Sequence, residues 1–191
     1  MLPHLKINDR KLFYKYLDKA TYYLEYGIGG STYQASLRKN IKHIISVEND
    51  ILWINKIEPL LEKMSNITIK YIEMNIKSNS WGYPNNNNLP IILSKYSSII
   101  YTLDPSFLQN IDMILIDGRF RVACCLKCFN VINNNCNILF DDFLNRPEYH
   151  IILDYYTIIE NTSDNTLVVL RKKNVSGPTL ELIQSYELNS R

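Results

Sequence analysis

The sequence predicts an α/β domain whose strands form a doubly wound, mostly parallel sheet closed by a C-terminal antiparallel hairpin. Three observations carry that expectation. Apolar runs of strand length alternate with stretches of helical periodicity along most of the chain, the pattern of a parallel sheet covered on both faces. The run from Tyr22 to Thr32, Tyr-Tyr-Leu-Glu-Tyr-Gly-Ile-Gly-Gly-Ser-Thr, reads as a buried strand entering a glycine turn that opens a helix. The last two strand-like runs, Tyr155 to Glu160 and Thr166 to Arg171, are separated only by the turn-rich Asn161 to Asn165 and read as a hairpin.

The elements follow in order. Leu5 to Ala20 places Leu5, Leu12, Phe13, Tyr16 and Leu17 at helical intervals, an amphipathic helix ahead of the glycine strand. After the turn, Thr32 to Lys39 is a short helix and His43 to Val47 a buried strand ending in Glu48. Asn49 or Asp50 can cap a helix running to about Met64 with Ile51, Leu52, Ile54, Leu60 and Leu61. Ile67 to Ile76 alternates as a third strand and exits into a loop from Lys77 to Pro90, whose Asn85 to Asn88 run reads as low-complexity surface. A helix over Ile91 to Leu103, a strand over Asp112 to Asp117, a helix over Phe120 to Val131, a strand over Cys136 to Phe140 and a helical Arg146 to Leu153 complete the alternation. Five parallel strands and the hairpin make a Rossmann-like, seven-stranded sheet.

A chain of 191 residues suits one domain, here 1–191, with an N-terminal helix in 1–20 and a tail in 174–191. In the tail, Leu180, Leu182, Ile183 and Tyr186 suit a homodimer-facing helix, a lid, or packing on the same domain, the last preferred. The net charge of +2 comes from dispersed acids and bases, with no basic stripe or aromatic platform for nucleic acid. No apolar run approaches the roughly 20 residues that span a bilayer, and Met1 to Arg10 is too polar for a signal peptide, so a soluble, cytoplasmic protein is expected. Cys124, Cys125, Cys128 and Cys136 lack a second ligand pair at zinc-finger spacing and read as buried reduced thiols.

A glycine turn followed by an acid at the end of the second strand suits an adenosine-containing cofactor, with Glu48 accepting from ribose hydroxyls. A dinucleotide site wants a further glycine where Thr32 stands, and ordinarily a second domain for substrate. The sequence Gly27-Ile28-Gly29-Gly30, with Glu25 upstream, Glu48 on the second strand and the closing hairpin, resembles instead the class I S-adenosylmethionine-dependent methyltransferases. Asp117-Gly118-Arg119-Phe120-Arg121, then Phe140-Asp141-Asp142 and Arg146-Pro147-x-Tyr149, is similar to a group of small methyltransferase-like proteins associated with surface-glycan biosynthesis in bacteria and large viruses. Two departures are Asn75, where the third strand commonly ends in an acid, and Asn133-Asn134-Asn135, replacing a frequent Pro-Gly turn.

The resemblance implies an O-methyltransferase acting on a sugar hydroxyl, in the host cytoplasm if the chain is viral. The alternatives are a non-catalytic cofactor-binding module of a glycan-assembly system and an NAD-dependent oxidoreductase or epimerase. It implies a cofactor site of Glu25, Gly27, Gly29, Gly30, Ser31, Thr32, Glu48, Asn75 and Asp117, Glu25 lying on the pocket floor and Asn75 hydrogen-bonding adenine. Asp117 is the first choice to orient the acceptor and take its proton, in a catalytic set with Arg119 and Asp142. Asp117, Asp141 and Asp142 also resemble a magnesium-binding carboxylate set; the alternative is that Arg119 and Arg121 pair with Asp141 and Asp142. Acceptor contacts fall to Arg121, Arg146, Tyr149 and Trp81, against plain readings of Trp81 as a loop anchor and Arg146 as a structural ion pair. None of His4, His43 and His150 has a partner arrangement that argues catalysis.

Overall fold

The computed structural model describes all residues except 62–64, 79 and 163–165. Among the described residues the strands form one seven-stranded sheet of order β3-β2-β1-β4-β5-β7-β6. They are β1 (Tyr22–Tyr26), β2 (His43–Glu48), β3 (Ile67–Tyr71), β4 (Met113–Ile116), β5 (Asn137–Phe140), β6 (Tyr156–Asn161) and β7 (Val168–Lys172). The first five run parallel; β7 enters antiparallel beside β5 and β6 pairs antiparallel with β7 at the edge. The strand order reverses between β1 and β4, and open sheets of this kind take ligands beyond the strands' carboxyl ends at such a point.

The period-2 pattern separates two apolar layers. Leu24, Tyr26, Ile114, Ile116, Ile138 and Phe140 face a core built with α4 (Pro90–Ser98), α5 (Pro105–Asn110), α6 (Arg121–Phe129) and α7 (Leu180–Glu187). Tyr23, Ile44, Met113, Leu115 and Leu139 face a second core with Leu12, Phe13 and Leu17 of α1 (Ile7–Leu17) and Ala35 of α2 (Gly30–Ser36). Ile54 and Ile57 of α3 (Ile51–Ile57) pack on Ile28, and the Asp50 carboxylate caps α3 by accepting from Leu52 and Trp53 amides. All four cysteines are buried free thiols. No helix among the described residues is long and apolar enough to cross a membrane. The tail helix α7 packs on α6 and α4 of its own domain, with Lys127 paired to Glu187.

Several expected boundaries move. β3 stops at Tyr71, five residues short of Ile76, so Asn75 lies beyond the strand. The expected Ile91 to Leu103 helix is α4 followed by a 3-10 turn over Ile99–Thr102, and α5 was not anticipated. Pro147–Asp154 is 3-10 rather than α-helical. The expected helix to Met64 and the turn at Asn161 to Asn165 fall partly outside the described residues. Asn133 supplies what a Pro-Gly turn would: its side chain accepts the Asn135 amide at 2.9 Å and donates to the Ile111 carbonyl at 3.1 Å.

Candidate active site at the carboxyl ends of the strands

The turn after β1 and the turn after β4 pack backbone to backbone. Gly27 has φ +101°, and a Cβ there would lie 3.1 Å from Gly118 Cα and N, so glycine is required both by conformation and by contact. That contact sets Asp117 beside the glycine turn.

Beneath the turn lies Glu25, fully buried. Its carboxylate accepts from Tyr23 Oη at 2.8 Å, from Ser46 Oγ at 2.6 Å and from Thr32 Oγ1, which in turn accepts the Gly29 amide at 2.9 Å. Burial pushes the Glu25 carboxyl up to about 7 against the downward pull of the Ser46, Thr32, Ser31 and Tyr23 hydroxyls. Glu25 is buried beneath the glycine turn as expected, and the Thr32 hydroxyl is corrected as a cofactor contact, since it turns inward to Glu25. Ser46 was missed, although its β2 position is in register with Glu25 and is a polar interruption in an apolar run.

Gly30 is also reassigned. A Cβ there would meet the Leu2 carbonyl oxygen at 2.1 Å and Pro3 N at 2.6 Å, so the N-terminal segment crosses directly over it, and Gln34 Nε2 holds the Met1 carbonyl at 2.8 Å. The close approach that removed the side chain is that of the chain itself. Gly29 is different, because a Cβ there would meet only the Trp53 ring, at 3.9 Å.

Glu48 ends β2 nearly buried, with Oε1 accepting the amides of Asn49 (2.7 Å) and Asp50 (3.0 Å) and Oε2 that of Ile28 (3.2 Å). Burial raises its pKa and the three amides lower it. A carboxylate offers about four acceptor positions, so one at Oε2 remains for a ligand hydroxyl. Asn75 does not join this edge. Its side chain is exposed, and its backbone is clamped by Asn88, whose Oδ1 accepts the Asn75 amide at 2.8 Å and whose Nδ2 donates to the Asn75 carbonyl at 2.6 Å. The asparagine run is thus a fastening as well as a surface loop, with Asn88 buried. Asn49 Nδ2 ties the same loop down by donating to the Gly82 carbonyl at 2.8 Å. Trp81 stands at its rim, 74% exposed, with φ +55° and its ring 5.3 Å from that of His4.

The expected carboxylates do gather at the ends of β4 and β5, around a guanidinium. Arg121 opens α6 with its side chain 4% exposed. Nη2 donates to Asp117 Oδ1 (3.1 Å) and the Asp117 carbonyl (3.0 Å), Nη1 to Asp142 Oδ2 (3.3 Å) and the Asp141 carbonyl (2.8 Å), and Nε to the Gly118 carbonyl (3.0 Å). All five N–H groups are matched, so Arg121 is corrected from acceptor contact to the keystone of the acids. The guanidinium lies between the three carboxylates, and among the described residues no group of three or more His, Cys, Asp or Glu is arranged to hold a metal ion. The magnesium expectation yields to the ion-pair alternative for Arg121.

Asp142, at φ +59°, also accepts from Arg146 Nη2 at 2.6 Å, and Arg146 Nη1 donates to Tyr149 Oη at 2.8 Å. Tyr149 is 1% exposed and is therefore a buried support, whereas Arg146 keeps part of its surface open. His150 meets Phe143, its Nε2 3.2 Å from the carbonyl oxygen and its ring 5.3 Å from the phenyl ring. Asp117 keeps 30% of its side-chain surface open to the crevice. Burial raises the pKa values of Asp117 and Asp141; Arg121 pulls both down, and the hydrogen bond between the two carboxyls favours a proton on Asp141 and charge on Asp117.

Phe120, at φ +54°, turns the chain so that the arginines on either side of it part company. Arg119 goes the other way from Arg121: it is 8% exposed, its guanidinium lies 4.2 Å over the Tyr83 ring, and Nε and Nη1 have no hydrogen-bond partner among the described residues. A separate cavity of about 350 Å³ opens at the opposite ends of β4 and β5, where Lys15 pairs with Glu160 at 2.6 Å and Arg171 donates to Asn137 at 2.5 Å.

A parallel sheet of this order, with a glycine turn after β1, an acid after β2 and an antiparallel closing pair, defines a Rossmann-like methyltransferase fold. No protein-family profile matches the chain, and no curated protein does. Solved structures do. A methyltransferase-like protein from Silicibacter pomeroyi superposes with a TM-score of 0.81 at 22% identity, over 99% of this chain and 97% of that one. A ribosomal protein L11 methylase from Lactobacillus delbrueckii subsp. bulgaricus gives 0.58 at 12% identity over 91% and 82% of the two chains. A tRNA methyltransferase from B. subtilis gives 0.52 at 11% over 88% and 67%. At these identities the likeness establishes the fold.

Proposed function

We propose that the protein is an S-adenosylmethionine-dependent O-methyltransferase acting on a sugar hydroxyl of a glycan or glycan precursor. The observation that carries the reading is the open Asp117 carboxylate, held beside the glycine turn by Gly27 against Gly118 and backed by a second carboxyl, Asp141. The residues present fit the cofactor: Gly29 leaves room along the turn, Glu48 keeps an acceptor for a ribose hydroxyl, and Asp117 offers negative charge near a sulfonium. When bound, S-adenosylmethionine supplies an already activated methyl group.

What remains for the chain is to orient the acceptor and manage its proton. Asp117 accepts the hydroxyl's hydrogen bond and takes the proton as the oxygen becomes the nucleophile, a role its raised pKa favours. Arg121 fixes the carboxylate's direction through Nη2, and Asp142 links that guanidinium to Arg146 at the partly open side. The exposed Trp81 ring at the rim offers an apolar face to a sugar. Four buried thiols accord with a reducing, cytoplasmic setting.

The test is isotope transfer from labelled S-adenosylmethionine to sugar acceptors, with calorimetry of S-adenosylhomocysteine and NAD. Asp117→Asn is expected to lower kcat by about 10²- to 10⁴-fold while leaving S-adenosylhomocysteine affinity within about threefold. Tight NAD binding without S-adenosylhomocysteine binding would overturn the reading.

A further inference from the structure

Arg119 and Arg121 are two residues apart and stand in opposite electrostatic states. Arg121 has an acceptor for each of its five N–H groups. Arg119 is also buried, yet Nε and Nη1 meet no acceptor among the described residues. A cation withdrawn from water without hydrogen-bond partners is costly, and the Tyr83 ring face offsets only part of that cost because it accepts no directed N–H bond of carboxylate strength. Asp117, two residues earlier, gives its Oδ1 and its carbonyl to Arg121 instead. The side chain is nevertheless kept in one place, stacked on a ring of the loop that Asn49 fastens through Gly82.

Resting on the methyltransferase reading above, we infer that the acceptor carries an anionic group, a carboxylate or phosphate, that docks on the unmatched Arg119 guanidinium beside Asp117. The chemistry fits at three points. A planar guanidinium with free donors matches the oxygens of a carboxylate or phosphate. Arg119 follows Asp117 by two residues in the turn beyond β4, so a group bound there belongs to a molecule whose hydroxyl can reach Asp117. Its stacking partner Tyr83 comes from the loop that also carries the exposed Trp81, which puts the anion at the mouth and the glycine turn at the back. An anion here also screens Arg119 from a sulfonium cation, so acceptor and cofactor should favour each other's binding.

The experiment uses inorganic phosphate as the probe, followed by calorimetry with the whole chain, alone and saturated with S-adenosylhomocysteine. Wild-type protein is expected to bind phosphate in both states, and its Arg119→Met variant should lose at least about tenfold in affinity in each. Arg119→Lys should recover part of that loss, and S-adenosylhomocysteine affinity should stay within about twofold in both variants. Arg119→Lys keeps the charge and guards against a Met variant that fails to fold. Phosphate affinity equal in wild type and Arg119→Met, or absent in wild type, overturns the inference. Competition between phosphate and S-adenosylhomocysteine, or weakened S-adenosylhomocysteine binding in Arg119→Met, assigns the guanidinium to the cofactor's own carboxylate and also overturns it. Phosphate binding through Arg119 in a protein that does not bind S-adenosylhomocysteine would leave the anion site standing and remove the methyltransferase reading, and with it the acceptor as the anion's source.

Discussion

Replacing Glu25 by Gln tests whether the buried acid under the glycine turn is protonated near neutrality. The carboxyl moves from an ordinary 4.5 to about 7 in the folded protein, because burial outweighs its hydroxyl donors. A folded pKa raised above the unfolded one contributes stability that is fully present below 4.5 and is lost as pH rises through 7. Taking both values through the linkage relation, the wild type loses about 2.5 kcal/mol of this contribution between pH 5 and pH 8. Glu25→Gln cannot ionise and so lacks that term, and other titrating groups cancel in the comparison. Urea unfolding of both proteins at pH 5, 6, 7 and 8 should show Gln gaining on Glu by about that amount as pH rises, or about 5–10 °C in a thermal scan. A wild-type-minus-variant difference that stays flat over this range would refute the reasoning.

Arg121→Met strands the acids at the ends of β4 and β5 and should cost about 3–5 kcal/mol at pH 8. Without the guanidinium their folded pKa values rise further, so the loss should shrink as pH falls to 5; a loss independent of pH in urea titrations would mean that ion pairing is not what Arg121 contributes. Gly30→Ala puts a Cβ 2.1 Å from the Leu2 carbonyl, so the first residues should lift away; faster proteolytic clipping before Lys6, with a stability loss of about 1–3 kcal/mol, is expected, and unchanged clipping counts against the crossing.

The sheet was legible because β1, β2, β4 and β5 are short apolar runs ending in turn residues, and burial on both faces leaves them little else to be. The same signal misplaced the end of β3. Ile72 and Met74 keep the alternation going because both are buried in the core, although the backbone has already left the sheet. Hydrophobic period reports which side chains are covered, and strand pairing is a separate fact. α5 was missed because only its start is marked, by Asp104 accepting the Ser106 amide at 2.7 Å ahead of Pro105. At the site, the strand ends brought Asp117 and Asp141 together as expected, with Asp142 beside them around Arg121, but failed for Asn75, which lies beyond the end of β3. Spacing could not tell that Arg121 would saturate itself among them while Arg119 would not, since one left-handed residue, Phe120, decides it.

Among the described residues three non-glycines hold left-handed backbone, Trp81, Phe120 and Asp142, and all three lie in the loops and turns beyond the carboxyl ends of β3, β4 and β5. Each such conformation costs about 1–2 kcal/mol that a glycine would not. Laboratory selection for heat resistance alone would therefore drift toward glycine at the exposed Trp81 and the partly open Asp142, erasing the ring at the rim and the carboxylate shared by Arg121 and Arg146, whereas Phe120, fully buried in the core, would stay. A thermostable descendant of this chain that kept all three side chains would have had to find its gains elsewhere in the fold.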